Sequence, residues 1–258
     1  MRKGTPGKIK TVATRKQISP DRPNDVQKLK FARRVSWAGL YVLLLASAIA
    51  ASGQLGSSRG VTQGLIAHYV GLFGASARGR LEDWKEHVRE IGKRRGPARN
   101  PTGGVGLLDP VNRFFNGLSY TTDFALWRVE DYWATPAEFE SIGGGDCEDF
   151  ALAKYFALKE LGIPAARLRM VYAKTGRSAS GHIVLAYYPS PGADPLILDI
   201  LSGSIERASQ RRDLTPVFSF NDEDLLLPGM AAQRFELTGS SGRQWLILVE
   251  KLKRELTY

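Results

Sequence analysis

The stretch G-G-G-D-C-E-D-F-A-L-A-K-Y-F-A-L-K-E-L-G, residues 143–162, decides how this chain is read. Three glycines interrupt whatever precedes them. Asp146, Glu148 and Asp149 then crowd the start of a segment rich in Ala, Leu, Phe and Tyr, with Lys154 and Lys159 further along. Acids first and lysines later match the dipole of a helix. Gly162, with Pro164 beyond it, stops that helix. The predicted helix carries the only cysteine of the chain, Cys147, in its first turn. Free backbone N–H groups at that end favour a thiolate, the nucleophilic form, and suit a developing oxyanion. The plain alternative is a buried, inert cysteine. The glycine-rich approach and the helix-start position favour the reactive one.

Downstream, a thiol nucleophile wants an imidazole base. His68 and His87 lie in helical segments, His87 in the charged run K-E-H-V-R-E, and read as surface or packing residues. His182 opens the alternating run H-I-V-L-A-Y-Y (182–188). Asp199 sits inside L-I-L-D-I-L (196–201), where an unpaired charge is costly. P-S-P-G-A-D-P joins the two runs as a hairpin, which brings Asp199 near His182 and completes nucleophile, base and orienter. Strands are also expected at Leu168–Ala173, and as a pair, Arg234–Leu237 with Gln244–Val249, meeting at G-S-S-G.

Upstream, Leu81, Trp84, Val88 and Ile91 form a helical stripe, and residues 96–106 read as a linker. Asp109-Pro110 reads as an N-cap with proline at the first helical position. Thr135-Pro136-Ala137-Glu138 reads as a capping box opening a short helix that stops at Gly143. Helices first and an antiparallel sheet afterwards imply an α+β domain.

The net charge of +10 is unevenly spread. Residues 1–34 hold 11 of the 36 Lys/Arg and two of the 26 acids; the remaining 25 bases and 24 acids nearly cancel. A nucleic-acid-binding domain would carry its basic face on the folded part, so that function class is excluded. One cysteine excludes an intramolecular disulfide framework. The chain divides into a basic, disordered leader over 1–34, a signal peptide or membrane anchor over 35–51, and one domain over 52–258. The apolar run Trp37–Ala51 after Arg33-Arg34 predicts export to the periplasm, with a possible tether to the inner membrane.

Three stretches then resemble a known family: D-Y-W-A-T-P-A-E (131–138) leading to G-D-C-E-D-F-A-L-A-K-Y-F-A-L (145–158); G-H-I-V-L-A-Y-Y (181–188) with L-I-L-D (196–199); and D-L-T-P-V-F-S-F-N (213–221). Together, over about residues 107–221, they are similar to the bacterial transglutaminase-like cysteine peptidases, the LapG family. The resemblance implies a papain-like/transglutaminase-like fold, a helical lobe with the nucleophile at a helix N-terminus packed on an antiparallel sheet. It implies Cys147 as nucleophile, His182 as base and Asp199 as orienter, and a calcium site using Asp146 and Glu148. It further implies a large surface adhesin as substrate, control of biofilm attachment, and a cyclic di-GMP receptor whose periplasmic domain sequesters the protease.

A physical motive for calcium stands beside that implication. Asp146, Glu148 and Asp149 crowd negative charge around a thiol that must ionise, and a hard cation held by oxygen ligands would offset it. The glycines at 143–145 are expected to turn backbone carbonyls toward such an ion. Helix capping by these acids is the competing explanation. Trp133 is a candidate second oxyanion donor, with core packing as its alternative. The same triad also serves an acyl transferase that passes the thioester to an amine, and an inactive binding module is a third possibility.

Overall fold

The computed structural model describes residues 60–94, 104–176, 178–222, 225–226 and 240–258. Both leader segments, 1–34 and 35–51, lie outside the described residues. Among the described residues, no helix is long and apolar enough to cross a membrane.

Three helices come first, α1 (Gln63–Phe73), α2 (Ser76–Arg94) and α3 (Val105–Asn116). The short strand β1 (Ser119–Tyr120), α4 (Asp123–Trp127), α5 (Pro136–Ile142) and β2 (Gly144–Gly145) lead into α6 (Cys147–Glu160). The sheet follows: β3 (Leu168–Thr175), β4 (Ser178–Tyr187), β5 (Leu196–Leu198), β6 (Glu206–Arg207), β7 (Leu214–Phe220) and β8 (Leu225–Leu226). Helix α7 (Ser240–Glu255) comes last. The six strands run β6-β5-β4-β3-β7-β8, every neighbouring pair antiparallel, so the expected α+β class holds.

Helix α6 is buried almost all round: every residue from Asp149 to Leu158 is out of water. Such a helix belongs in the centre, and α6 packs against α3 and α5 on one side and β3 and β4 on the other. The stripe read in α2 is the inner face of that helix; Leu81, Trp84, Val88 and Ile91 are all buried. In α5 the capping box forms as read, Glu138 N–H donating to Thr135 Oγ1 (3.0 Å) and Thr135 N–H to Glu138 Oε2 (2.9 Å).

Three expectations are corrected. Asp109 is not an N-cap. Helix α3 starts at Val105 after Gly104, which takes a left-handed conformation (φ 98°), and Pro110 lies inside it. Burial of Leu107, Leu108, Val111 and Phe115 along one face outweighs the loss of one backbone hydrogen bond at the proline. The expected linker is correspondingly shorter, since 105–106 are helical; its part over 96–103 lies outside the described residues. Gln244–Val249 is helical, in α7, and its supposed partner Arg234–Leu237 lies outside the described residues. The run W-L-I-L-V looks like a buried strand by composition. Its buried members are Trp245, Leu248, Val249 and Leu252, at helical spacing, while Leu246 and Ile247 face water.

Candidate active site

The three glycines each answer a different steric demand. Gly143 closes α5 in the left-handed region (φ 85°). A Cβ on Gly144 would fall 2.0 Å from the Ser119 carbonyl oxygen, and one on Gly145 2.2 Å from Asp149 Oδ2. Gly144 comes this close to Ser119 because β1 and β2 pair in parallel, whereas Gly145 makes room for the Asp149 side chain. Ser119 N–H donates to the Gly143 carbonyl (3.2 Å) and Thr121 N–H to that of Gly145 (2.8 Å). Those two carbonyls each accept one hydrogen bond from the neighbouring strand.

Cys147 is the first residue of α6, half-buried, after Asp146 at the N-cap. Its Sγ accepts the Ile183 N–H (3.4 Å) from β4 and donates to Glu148 Oε2 (3.1 Å). Burial, then the charges of Glu148 and Asp146, push the thiol well above its ordinary range. His182 is buried in β4, which begins four residues earlier than the alternation suggested. Its Nε2 lies 2.7 Å from Asp199 Oδ1. With Nε2 given to Asp199, Nδ1 is the ring nitrogen left to exchange a proton.

Strand β5 stops at Leu198, opposite Leu185, so Asp199 is the first residue beyond the ladder rather than within it. Two contacts turn it out: Asp199 Oδ1 accepts the Leu201 N–H two residues on (3.0 Å), and its carbonyl accepts from Asn116 Nδ2 in α3 (2.9 Å). Arg211 Nη2 donates to Asp199 Oδ2 at 2.7 Å. Burial alone would raise the Asp199 carboxyl; the bonds from His182, Leu201 and Arg211 overcome it and hold the group down at about 2. Lys154, seven residues from Cys147 on α6, is also buried near this carboxylate. Burial pushes it down to about 7, against the attraction of Asp199. The hairpin logic had located His182 and Asp199 but not Arg211, Asn116 or Lys154. Arg211 stands in the run R-R-D, which reads locally as a solvated turn.

Beside the thiol lies a cluster of acids. Asp123, Asp146 and Asp149 offer oxygens within 4.8 Å of one another, and so do Asp123, Asp131 and Glu148. Asp149 is fully engaged, Oδ1 accepting from Ala134 N–H (2.8 Å) and Oδ2 from Asp146 N–H (3.3 Å). Asp123 Oδ1 and Asp146 Oδ1, by contrast, are buried without a hydrogen-bond partner among the described residues. Burial and mutual repulsion push Asp123 up to about 7, Asp146 to about 8 and Glu148 to about 7, and raise Asp149 as well. Unpartnered carboxylate oxygens and clustered, desolvated acids are the donor chemistry of a hard divalent cation. Asp123 and Asp131 lie 15 or more residues before Cys147, and no local signal joins them to it.

The remaining candidates are packing residues. Trp133 is buried and stacks on Phe220 at 5.7 Å. His87 and His68, read as surface or packing residues, are half-buried packing residues: His87 stacks on Phe114 (4.3 Å) and His68 on Tyr258 (4.1 Å).

A family model described as bacterial transglutaminase-like cysteine proteinase matches residues 89–212. No curated protein matches. Among solved structures, LapG of Legionella pneumophila aligns in an EGTA-treated form at 36% identity, TM-score 0.60, over 72% of this chain and 95% of that one. The calcium-bound form of the same protein aligns at 37% identity and TM-score 0.58, over 72% of this chain and 96% of that one. With that identity sustained along nearly the whole of those chains, and with a thiol at the head of α6 as the fold presents it, this protein belongs to the bacterial transglutaminase-like cysteine proteinases, the family of LapG.

Proposed function

We propose that the protein is a calcium-dependent periplasmic endopeptidase that cuts a large cell-surface adhesin and so controls biofilm attachment, using Cys147, His182 and Asp199. The observation that carries the reading is the meeting of three separate elements. The head of α6 supplies the thiol, β4 supplies His182 and the Ile183 N–H on Sγ, and the turn after β5 supplies a carboxylate 2.7 Å from the imidazole.

His182 Nδ1 takes the thiol proton, and Sγ attacks the scissile carbonyl, forming the S–C bond. The N–H groups at the head of α6 stabilise the oxyanion. His182 returns the proton to the leaving amine as the C–N bond breaks. Water, deprotonated by His182, then attacks the thioester, the S–C bond breaks, and the thiol is regenerated. Asp199, ionised throughout, holds the ring and stabilises its charged form.

Asp123, Asp131, Asp146 and Glu148 are the residues that would hold the cation, with Asp149 fixing the loop through its two backbone bonds; the two buried, unpartnered oxygens support the fit. Calcium, when bound, supplies positive charge that offsets these carboxylates and lowers the cost of a thiolate between Asp146 and Glu148. A calcium-bound relative is consistent with this. A cyclic di-GMP receptor as the sequestering partner, and a leader that exports the domain, complete the proposal on the strength of the family resemblance and the basic, then apolar, N-terminal sequence.

The test is to incubate the full chain with the N-terminal region of a large repeat adhesin from the same cell, in calcium and in EGTA. Two fragments in calcium and intact substrate in EGTA are expected. Cross-linked or amine-modified substrate without fragments would assign acyl transfer instead.

A further inference from the structure

The D-L-T-P-V-F-S-F-N stretch, read in the sequence but unused by the triad, begins at Asp213, and its function lies one side chain away. Arg211 turns a fork onto Asp213, Nε to Oδ1 at 2.9 Å and Nη2 to Oδ2 at 2.7 Å, while the same Nη2 reaches Asp199 Oδ2 at 2.7 Å. Asp213 is half in water; Arg211 and Asp199 are not. A chain of alternating charge thus runs inward from solvent to the imidazole. We propose that Arg211 is a positioning residue for the reaction, fixing the plane of the Asp199 carboxylate so that Oδ1 is kept for His182. The proposal rests on the reading of Cys147, His182 and Asp199 as the triad.

The geometry divides the two oxygens of Asp199 between two tasks. Oδ1 takes the imidazole and the Leu201 N–H; Oδ2 takes the guanidinium. Without a donor on Oδ2, the carboxylate turns about Cβ–Cγ and the imidazole follows it. Rotation of that kind misplaces a general base, and about 1 Å of misplacement costs on the order of a hundredfold in rate. Arg211 also carries a local cost that stability alone does not explain: its Nη1 is buried with no partner among the described residues. A buried guanidinium left incompletely satisfied beside a candidate active site is the pattern of a functional constraint. Because Arg211 is shared with Asp213, Asp199 keeps net negative charge to set against the charged imidazole. The other groups around Asp199 do not replace Arg211. Lys154 faces it from α6, buried, and Asn116 from α3 engages only its main-chain carbonyl.

The single cysteine makes the test direct, because alkylation by iodoacetamide reports Cys147 alone. The full chain in calcium at neutral pH is alkylated as wild type, Arg211→Gly, Asp213→Ala and His182→Ala, with melting temperatures measured in parallel. Arg211→Gly is expected to slow alkylation by about tenfold to a hundredfold. Low, non-denaturing guanidinium chloride, but not sodium chloride, restores much of the rate by refilling the fork. Asp213→Ala, a change at a half-exposed residue that leaves the core intact, falls between wild type and Arg211→Gly. Wild-type rates in both variants, with His182→Ala slow, overturn the proposal and leave the triad standing. Slowing that guanidinium does not reverse, accompanied by a lower melting temperature, overturns it as well by making Arg211 merely structural. A wild-type rate in His182→Ala removes the triad and the proposal together.

Discussion

Asp199 accepts three hydrogen bonds on its carboxylate and lies almost wholly out of water. A buried carboxylate held at about 2 contributes stability above its unfolded value, and that contribution is lost as pH falls through about 2. The charge of Asp199 is therefore constant over the working range, and titration there belongs to other groups. Asp199→Asn keeps the shape but removes the charge and turns one of two acceptor oxygens into an NH2 donor, which must then face either the imidazole or Arg211. It is expected to lower kcat by about 10²- to 10⁴-fold with KM little changed, measured on the cleaved substrate. On the proposed mechanism Cys147→Ala and His182→Ala are each expected to abolish turnover, with losses that do not add, because residues acting as a unit are non-additive. The buried acid in an apolar run was legible in the sequence for a physical reason, since a charge in such a place demands a partner. Its partner across the hairpin was legible too. Arg211 was not: what buries it is tertiary, and no local pattern in R-R-D records that.

Around the site, helix ends do the placing. Asp146 heads α6, Thr135 caps α5, and both were visible from residue types and spacing. Helix α7 was not, because five consecutive apolar residues satisfy a strand as well as a helix. It nevertheless braces the site. Gln244 Nε2 donates to the Asp131 carbonyl (2.6 Å), Lys251 Nζ to the Trp133 carbonyl (2.5 Å) and to Glu138 Oε2 (2.8 Å), and Glu255 takes the Tyr69 and Thr135 hydroxyls. Leu248 in α7 is fully buried, so Leu248→Ala should lower unfolding free energy by about 2–5 kcal/mol, read by chemical denaturation. In α5, Glu140 is buried with one oxygen unpartnered among the described residues, and burial pushes it up to about 8. A raised carboxyl favours the fold while protonated, and the advantage is lost as pH rises toward about 8. Glu140→Gln is accordingly expected to have a higher unfolding free energy than wild type at pH 9, by on the order of a few kcal/mol, and so to melt higher there, and to match it at pH 5. Equal melting curves at both would show that Glu140 finds a partner.

At the scale of the molecule, residues 35–258 carry nearly balanced charge and residues 1–34 carry the excess. An alkaline phosphatase fusion after residue 60 is expected to be active in a Gram-negative host, since only export oxidises and activates the reporter. An inactive fusion would place the domain in the cytoplasm. The acidic cluster also belongs to this scale, for it gathers Asp123, Asp131, Asp146, Glu148 and Asp149 from three parts of the chain. Sequence spacing exposes only the contiguous members. Calcium is expected to raise the melting temperature, and removing Asp123, one of the two members with a buried unpartnered oxygen among the described residues, to abolish that rise while leaving the EGTA-treated protein folded.

Hydrolysis by Cys147 under calcium control, as proposed, is read by intact-mass spectrometry of the adhesin fragments. Wild-type protein in calcium should give two products whose masses sum to the substrate plus one water, with none formed in EGTA or by Cys147→Ala. Fragments that persist in Cys147→Ala, or that form equally in excess chelator, would contradict it.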